Sequence, residues 1–236
     1  VKEMYELTIK AFNYAEKYRT PVLLMTDEVI GHMREGVVFE DDYEVIDRVR
    51  PSQAPRADYL PYTCVGNSKV PPMANYGEGY RFHVTGLSHS ESGFPTNSAD
   101  VNEKLVTRIC AKVNDDVDKI VINDLFFTED AEVLLVAYGS VARAALHVVK
   151  QMRAAGISAG LFIPKVLWPF PEKALKAVLS EHVRQVIVPE MNLGQYVLEV
   201  ERVVSGKCPV TLIGKASGEL FKAEELYEKV MAVMKQ

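Results

Sequence analysis

The sequence predicts an α/β protein in three parts: the end of one α/β domain, a long irregular connector, and a small complete α/β domain with a mainly parallel sheet. Three observations predict it. An amphipathic helix and a short apolar run open the chain. Residues 34–96 are rich in proline and glycine and lack periodicity. From residue 131 onward, short apolar runs alternate with helical patterns, the signature of parallel strands joined by helical crossovers.

Residues 3–18 read as a helix, because Met4, Leu7, Ala11, Tyr14 or Ala15, and Tyr18 recur at helical spacing. Thr20-Pro21 breaks it. The run from Val22 to Thr26 has the composition of a buried parallel strand, and Asp27 to His32 follows at its carboxyl end. The connector carries prolines at 51, 55, 61, 71, 72 and 95 and glycines at 66, 77, 79, 86 and 93, with one candidate strand at 80–84. Long irregular segments of this kind are usually functional or flexible. A helix starts near residue 100: Asp100 and Glu103 have capping-box spacing, with Asn97 and Ser98 as alternative caps. Val101, Leu105, Ile109 and Val113 line one face of it.

The regular part begins with a strand from Glu132 to Tyr138, which runs into Gly139-Ser140. A helix over 141–155 follows, with Gly156 as its left-handed terminator. The next elements are a strand at 157–163, a loop holding Trp168-Pro169-Phe170-Pro171, a helix at 172–181 and a strand at 183–188. The loop from Glu190 to Gln195 leads to a helix at 194–205, a strand at 210–213 and a last helix at 222–235. Ligand-facing loops of open α/β sheets sit at the carboxyl ends of the strands. Those ends are Gly139-Ser140, residues 165–170, 189–195 and 214–218.

Composition excludes several classes. The net charge of −5 and the absence of a basic run argue against a nucleic-acid surface. No apolar stretch approaches the roughly 20 residues that span a bilayer, and no secretory signal opens the chain. Cys64, Cys110 and Cys208 are far apart, which fits neither a zinc or iron–sulfur site nor a disulfide framework and suits a reducing cytoplasm. No metal site is therefore expected. Gly139-Ser140 is not a dinucleotide fingerprint, although a helix N-terminus can hold an anion; a plain N-cap is the alternative. There is no P-loop and no nucleophile elbow. His89-Ser90-Glu91 has the H-x-E spacing of zinc deaminases without the cysteine pair that completes that site.

A set of peptides, in this order, resembles one family. They are Tyr18-Arg19-Thr20-Pro21 through Thr26 to Glu35, then Gly77 to Leu87 with His89 and Glu91. Val136 to Arg143, Trp168 to Pro171, Val188 to Gln195 and Gly214 to Leu220 follow. Together they are similar to the α subunit of 2-oxoacid:ferredoxin oxidoreductases, of the 2-oxoglutarate type, over nearly the whole chain. One departure is His89-Ser90-Glu91, where that family tends to read His-Asp-Glu.

The resemblance implies that residues 1–33 end a thiamine-type pyrimidine-binding domain. Residues 34–116 would form the connector, and 117–236 a transketolase-C-terminal-like three-layer domain. It implies a C-terminal fragment, in keeping with a first residue of Val1, with the catalytic residues upstream of it. The implied reaction is CoA-dependent oxidative decarboxylation of a 2-oxoacid, with electrons passed to ferredoxin. Thiamine diphosphate and Mg2+ would be held mainly by a partner β subunit, which would also house an iron–sulfur cluster. CoA would be a co-substrate, and this chain alone would hold no cofactor.

Candidate site-facing or interface-facing residues are Asp27, Glu28 and His32; His89 and Glu91; Gly139 and Ser140; and Glu190, Asn192, Gly194 and Gln195. The last group favours an interface over catalysis, and Gly194 would permit close approach of another backbone. The Trp168–Pro171 loop suits packing or docking. His147 and His182 read as structural. Two other functions remain open: a non-catalytic assembly or regulatory module on the same fold, and a self-contained small-molecule enzyme built on the sheet after 131.

Overall fold

In a computed structural model, residues 1–40, 42–52 and 56–235 are described. Pro55, one of the connector's prolines, lies outside them. The chain divides into two compact units. The first comprises residues 1–26 and 31–116; the second comprises 27–30 and 117–236.

The second unit is a five-stranded sheet ordered β1-β3-β2-β4-β5. Its strands are β1 (Asn123–Phe126), β2 (Val133–Val136), β3 (Ala159–Pro164), β4 (Gln185–Glu190) and β5 (Val210–Gly214). β2 pairs in parallel with both β3 and β4, and β4 with β5. The mainly parallel sheet expected from the sequence is present. The strand missed is β1, which pairs antiparallel with β3. Its sequence, Asn-Asp-Leu-Phe, is short and half polar and gives no strand signal. It is preceded by a one-turn helix, Val117–Ile120.

Both faces of this sheet are covered. Helix α5 (Gly139–Ala154) and helix α8 (Ala223–Val233) pack on one face, where Val133 and Leu135 of β2 meet Ala145, Val148, Met152, Leu226 and Val230. Helices α6 (Glu172–Val178) and α7 (Tyr196–Val204) cover the other, where Leu134 and Val136 meet Phe162, Leu175, Val200 and Val204. Successive residues of a strand point to opposite faces, so a strand buried on both sides must be apolar at every position. Val133-Leu134-Leu135-Val136 meets that requirement. Gly156 follows the end of α5 with φ 82°, the left-handed terminator its position predicts.

The first unit is built differently. Helix α1 (Lys2–Tyr18) and helix α3 (Ala99–Asn114) are its long elements; a short helix, α2 (Glu28–His32), lies between them in sequence, and its residues 28–30 belong to the second unit. Among the described residues the unit has no strand, only an isolated antiparallel bridge between His89 and Pro95. The expected strand at Val22–Thr26 does not form. Leu23 and Met25 are 79% and 78% exposed, because no described segment of this unit offers a paired edge to an extended apolar run. Residues 80–84 are likewise without regular structure. The N-cap of α3 is Ser98, whose hydroxyl accepts from the Val101 amide at 3.5 Å; the alternative cap, not Asp100, is used. Ile109 on the supposed inner face of α3 is exposed, and Val101 and Leu105 are half-buried.

Point contacts hold the irregular connector instead. Asn13, buried on α1, donates to the Glu44 carbonyl at 2.7 Å and accepts from the Ile46 amide at 2.8 Å, so one side chain imitates a strand neighbour. Arg48 makes a two-pronged contact with Glu16 at 2.6 and 2.5 Å. The Tyr59 hydroxyl donates to the Pro72 carbonyl and accepts from the Ala74 amide. The Tyr59 ring meets Tyr80 and Phe82 edge-on. No helix among the described residues is long and apolar enough to cross a membrane.

Candidate functional site

In the second unit, the chain leaves β2 for α5 on one face of the sheet and leaves β4 for α7 on the other. Neighbouring strands whose connections depart to opposite sides open a crevice at their carboxyl ends, the usual ligand position in this architecture. The residues after β2 and at the end of β4 meet there.

Glu190, the last residue of β4, is fully buried. Its Oε2 accepts from the Tyr138 hydroxyl at 3.1 Å, the Asn192 amide nitrogen at 2.9 Å, and the backbone amides of Gln195 and Tyr196 at 3.3 and 2.9 Å. Its Oε1 accepts from the Val197 amide at 2.8 Å. The first amides of α7 have no partners within the helix. A carboxylate supplied by the adjoining strand end satisfies them and opposes the helix dipole, which is why a buried charge is tolerated here. Asn192 also accepts from the Gly194 amide at 2.7 Å and donates to Tyr138 at 3.2 Å. Gly194 has φ 100°, and a Cβ there would come within 2.8 Å of the Leu212 side chain, so the position demands glycine.

The same device serves α5. The Asp27 carboxylate accepts from the Ser140 amide at 2.6 Å, a cap supplied from 113 residues away. Gly139 has φ 57°, and a Cβ would lie 2.7 Å from that carboxylate. Ser140 turns its hydroxyl toward the Met191 sulfur at 3.7 Å. Tyr138 sits between the two caps. Burial, then the charge and hydrogen bond of Glu190 and the more distant Asp27, push its phenol up to about 12. Tyr138 is therefore a neutral donor. Tyr196 stands edge-on to it at 5.2 Å and against Phe170 at 5.1 Å. Burial drives its phenol up as well, and its hydroxyl is buried without a hydrogen-bond partner among the described residues.

The sequence-predicted residues thus fall into separate groups. Asp27, Gly139, Ser140, Glu190, Asn192, Gly194 and Gln195 are joined in one network within the second unit. Glu28 and His32 are exposed on α2. In the first unit, His89 is buried with its ring 3.9 Å from that of Tyr62, and Nδ1 is 3.0 Å from the Ser90 carbonyl. Glu91 accepts from the Thr63 hydroxyl at 3.2 Å and, through its backbone carbonyl, from the Tyr62 amide. These contacts organise a loop. Trp168, joined to Pro169 by a cis peptide, is 74% exposed, whereas Phe170 is buried.

Sequence reasoning missed Tyr138 and Tyr196. The available signal was a tyrosine at the end of an apolar strand and another at the first position of a helix, each adjoining a residue already singled out.

Chemically, the network is engaged in holding structure. Both oxygens of the buried Glu190 accept hydrogen bonds, and both helix N-termini at this edge already carry a carboxylate. A cavity of about 480 Å³ elsewhere in this unit is lined by Val117, Ile122, Asn123 and Pro171, with Asp118 and Lys173 ion-paired at 2.5 Å. Of the positions singled out in the sequence, only Pro171 of the Trp168–Pro171 loop lines it. No three His, Cys, Asp or Glu side chains among the described residues converge as metal ligands.

Two family models match the chain. Residues 1–108 match pyruvate flavodoxin/ferredoxin oxidoreductase, thiamine diP-binding, and residues 131–226 match pyruvate:ferredoxin oxidoreductase core domain II. The 2-oxoglutarate synthase subunit KorA of Methanocaldococcus jannaschii is 42% identical over 98% of this chain and 61% of its own length. That of Methanothermobacter marburgensis is 39% identical over 99% of this chain and 62% of its own. The chain thus spans about three-fifths of the length of these relatives. Among solved structures, a 2-oxoglutarate:ferredoxin oxidoreductase from Magnetococcus marinus, with 2-oxoglutarate, coenzyme A and succinyl-CoA bound, superposes with a TM-score of 0.79 at 23% identity. The match covers 98% of this chain and 40% of that one, and it shows a shared fold.

Proposed function

The chain belongs to the 2-oxoacid:ferredoxin oxidoreductase family, and from that premise we propose that it is part of the α subunit of a CoA-dependent 2-oxoglutarate:ferredoxin oxidoreductase. The observation that carries the substrate is the 42% identity to a 2-oxoglutarate synthase subunit over 98% of the chain. The reaction is oxidative decarboxylation of the 2-oxoacid to an acyl-CoA, with the electrons delivered to ferredoxin.

The carboxyl edge of the second unit's sheet does not fit the diphosphate end of thiamine diphosphate. That end needs cationic or metal-bridged contacts. The sheet edge offers carboxylates already engaged at both helix N-termini, and no metal-ligand group converges. We therefore assign thiamine diphosphate, Mg2+ and the iron–sulfur cluster chiefly to a partner β subunit, with ferredoxin and the 2-oxoacid as the remaining partners and the cytoplasm as the compartment. Residues 1–33 are assigned to the end of the pyrimidine-binding domain, 34–116 to a connector and 117–236 to a transketolase-C-terminal-like domain. The Glu190–Gln195 loop and Gly139-Ser140 are assigned structural and interface roles. Their support is the saturated hydrogen bonding around Glu190, which fixes the loop while Leu193 stays 84% exposed. Asp27 is assigned to the same scaffold, Glu28, His32 and Glu91 to subunit-facing surface, and the buried His89 to the packing of the loop that carries Glu91.

The test is co-expression of the full-length protein with its β subunit and measurement of viologen reduction. 2-Oxoglutarate, pyruvate and 2-oxoisovalerate are compared, with and without CoA and thiamine diphosphate. Reduction that requires both subunits and CoA, with 2-oxoglutarate preferred, is the expected result. Preference for another acid overturns the substrate. No reduction from a complex shown to hold its cofactor and cluster overturns the oxidoreductase reading and favours an assembly module.

A further inference from the structure

The first unit gathers three cations that no carboxylate among the described residues balances. Arg19 follows α1 in the left-handed conformation, φ 45°. Its guanidinium donates to the Pro61 carbonyl and lies 4.7 Å from the Tyr62 ring centre. Arg108 and Lys112 stand one turn apart on the half-buried side of α3. Arg108 donates to the Lys69 carbonyl at 3.1 Å, and Lys112 to the Arg19 carbonyl at 2.8 Å. Each of the three thus bonds to a backbone oxygen and none to an acid. The acids near them have other partners. Glu16 holds Arg48 with both oxygens, Asp115 pairs with Lys69, and Asp116 accepts from Tyr18.

The electrostatics agree with the contacts. Burial, then Arg108 and Arg19, lower the Lys112 ammonium to about 8. Burial also pushes Arg19 down; Tyr59 and Tyr62 oppose that, and Arg108 and Arg48 add to it. Three like charges held together at partial burial repel one another until an anion joins them. Of the three, Arg19 also lines a cavity of about 260 Å³ with Glu16, Thr20 and Arg48. Lys112 has two further N–H donors, and both arginines keep unused N–H groups, an array suited to several oxygens on one anion. In a chain of net charge −5 this is a local reversal of sign.

We propose that Arg19, Arg108 and Lys112 form a binding site for a phosphate group, either free phosphate or the phosphate of a nucleotide-like ligand. The proposal is independent of the catalytic reading. A bound dianion replaces the mutual repulsion with charge-assisted hydrogen bonds and holds Lys112 in its charged form to higher pH.

The experiment is isothermal titration calorimetry on the full-length protein in its assembled complex at low ionic strength, with inorganic phosphate, adenosine 5′-monophosphate and adenosine. Saturable binding of phosphate or the nucleotide, with adenosine silent, is expected. Tighter binding of the nucleotide assigns the source to an ester; equal binding assigns it to free phosphate. Lys112→Met and Arg108→Gln should each weaken binding about tenfold, the loss of one charge-assisted contact, and Lys112→Arg should retain it. Affinity should fall as pH rises through about 8, where Lys112 loses its proton in the field of Arg19 and Arg108. Absence of saturable binding, or binding indifferent to these variants, overturns the proposal. So does carbodiimide cross-linking of Lys112 to an acidic residue of a partner chain in the assembled complex, which would make the cluster a protein interface.

Discussion

The two units hold themselves together by different means. In the second, apolar side chains fill both faces of a sheet, and the carboxylates at its edge are saturated. In the first, the buried apolar side chains named among the described residues are Tyr18, Tyr59 and Ala74, apart from buried prolines such as Pro61. Order there comes from single side chains clamping backbone: Asn13 on residues 44 and 46, Tyr59 on 72 and 74, Arg19 on 61. Burial of apolar area is distributed over many contacts, so one substitution removes a fraction of it. A clamp is all or none for the segment it holds.

Substitutions can break or sharpen that contrast. Glu190→Ala should have the largest effect, about 3–5 kcal/mol, because it orphans three helix amides and two side-chain donors in a buried place. Urea denaturation should show this loss in the second unit's transition, and a loss below about 1 kcal/mol would refute the view of Glu190 as its anchor. Asn13→Ala should cost about 1–3 kcal/mol through two lost clamping bonds. Limited proteolysis should then cleave near residues 42–48 while the second unit stays resistant; unchanged cleavage would mean the clamp is dispensable. Gly194→Ala should cost about 1–2 kcal/mol from a positive φ and the close approach to Leu212, measured as a lower midpoint of thermal unfolding. Tyr196→Phe runs the other way. Deleting a buried hydroxyl that lacks a partner should leave stability unchanged or raise it by about 1 kcal/mol; a clear loss would reveal a hydrogen bond formed in the assembled enzyme.

The smallest expected effect is that of Glu225. Its hydrogen bonds to Lys215 and Lys229 hold its carboxyl down at about 2. A carboxyl depressed in the folded state contributes stability above its ordinary value of 4.5 and loses it as pH falls toward 2. Acid titration of Lys215→Met should show a shallower loss than the parent protein between those limits.

Much of the second unit was legible because its signals are local. The run 133–136, the helical period that follows it and Gly156 each announce an element within a few residues. β1 was illegible because an edge strand of four residues, half of them polar, needs β3 to exist. The run 22–26 was overread for the opposite reason: its composition satisfies a buried strand, yet no described neighbour in its unit pairs with it. The candidate cluster was half legible. Glu190, Asn192, Gly194 and Gln195 stand together in the chain, and a strand end followed by a helix marks them. The carboxylate of Asp27 reaching Ser140 could not be read, because 113 residues separate the partners and no local rule joins them.

The saturation of Glu190 also bears on how this fold can diversify. Elsewhere the crevice between diverging strands is raw material for new nucleotide and phosphate specificities, since a free helix dipole awaits any anion. Here that dipole is committed to a residue of the same chain, and the substitution that would release it also dismantles the helix start. New ligand specificity at this edge would need at least two coordinated changes, one to vacate the position and one to support the helix without it. Descent by single steps should therefore leave this crevice unchanged and place innovation on the exposed loops beside it.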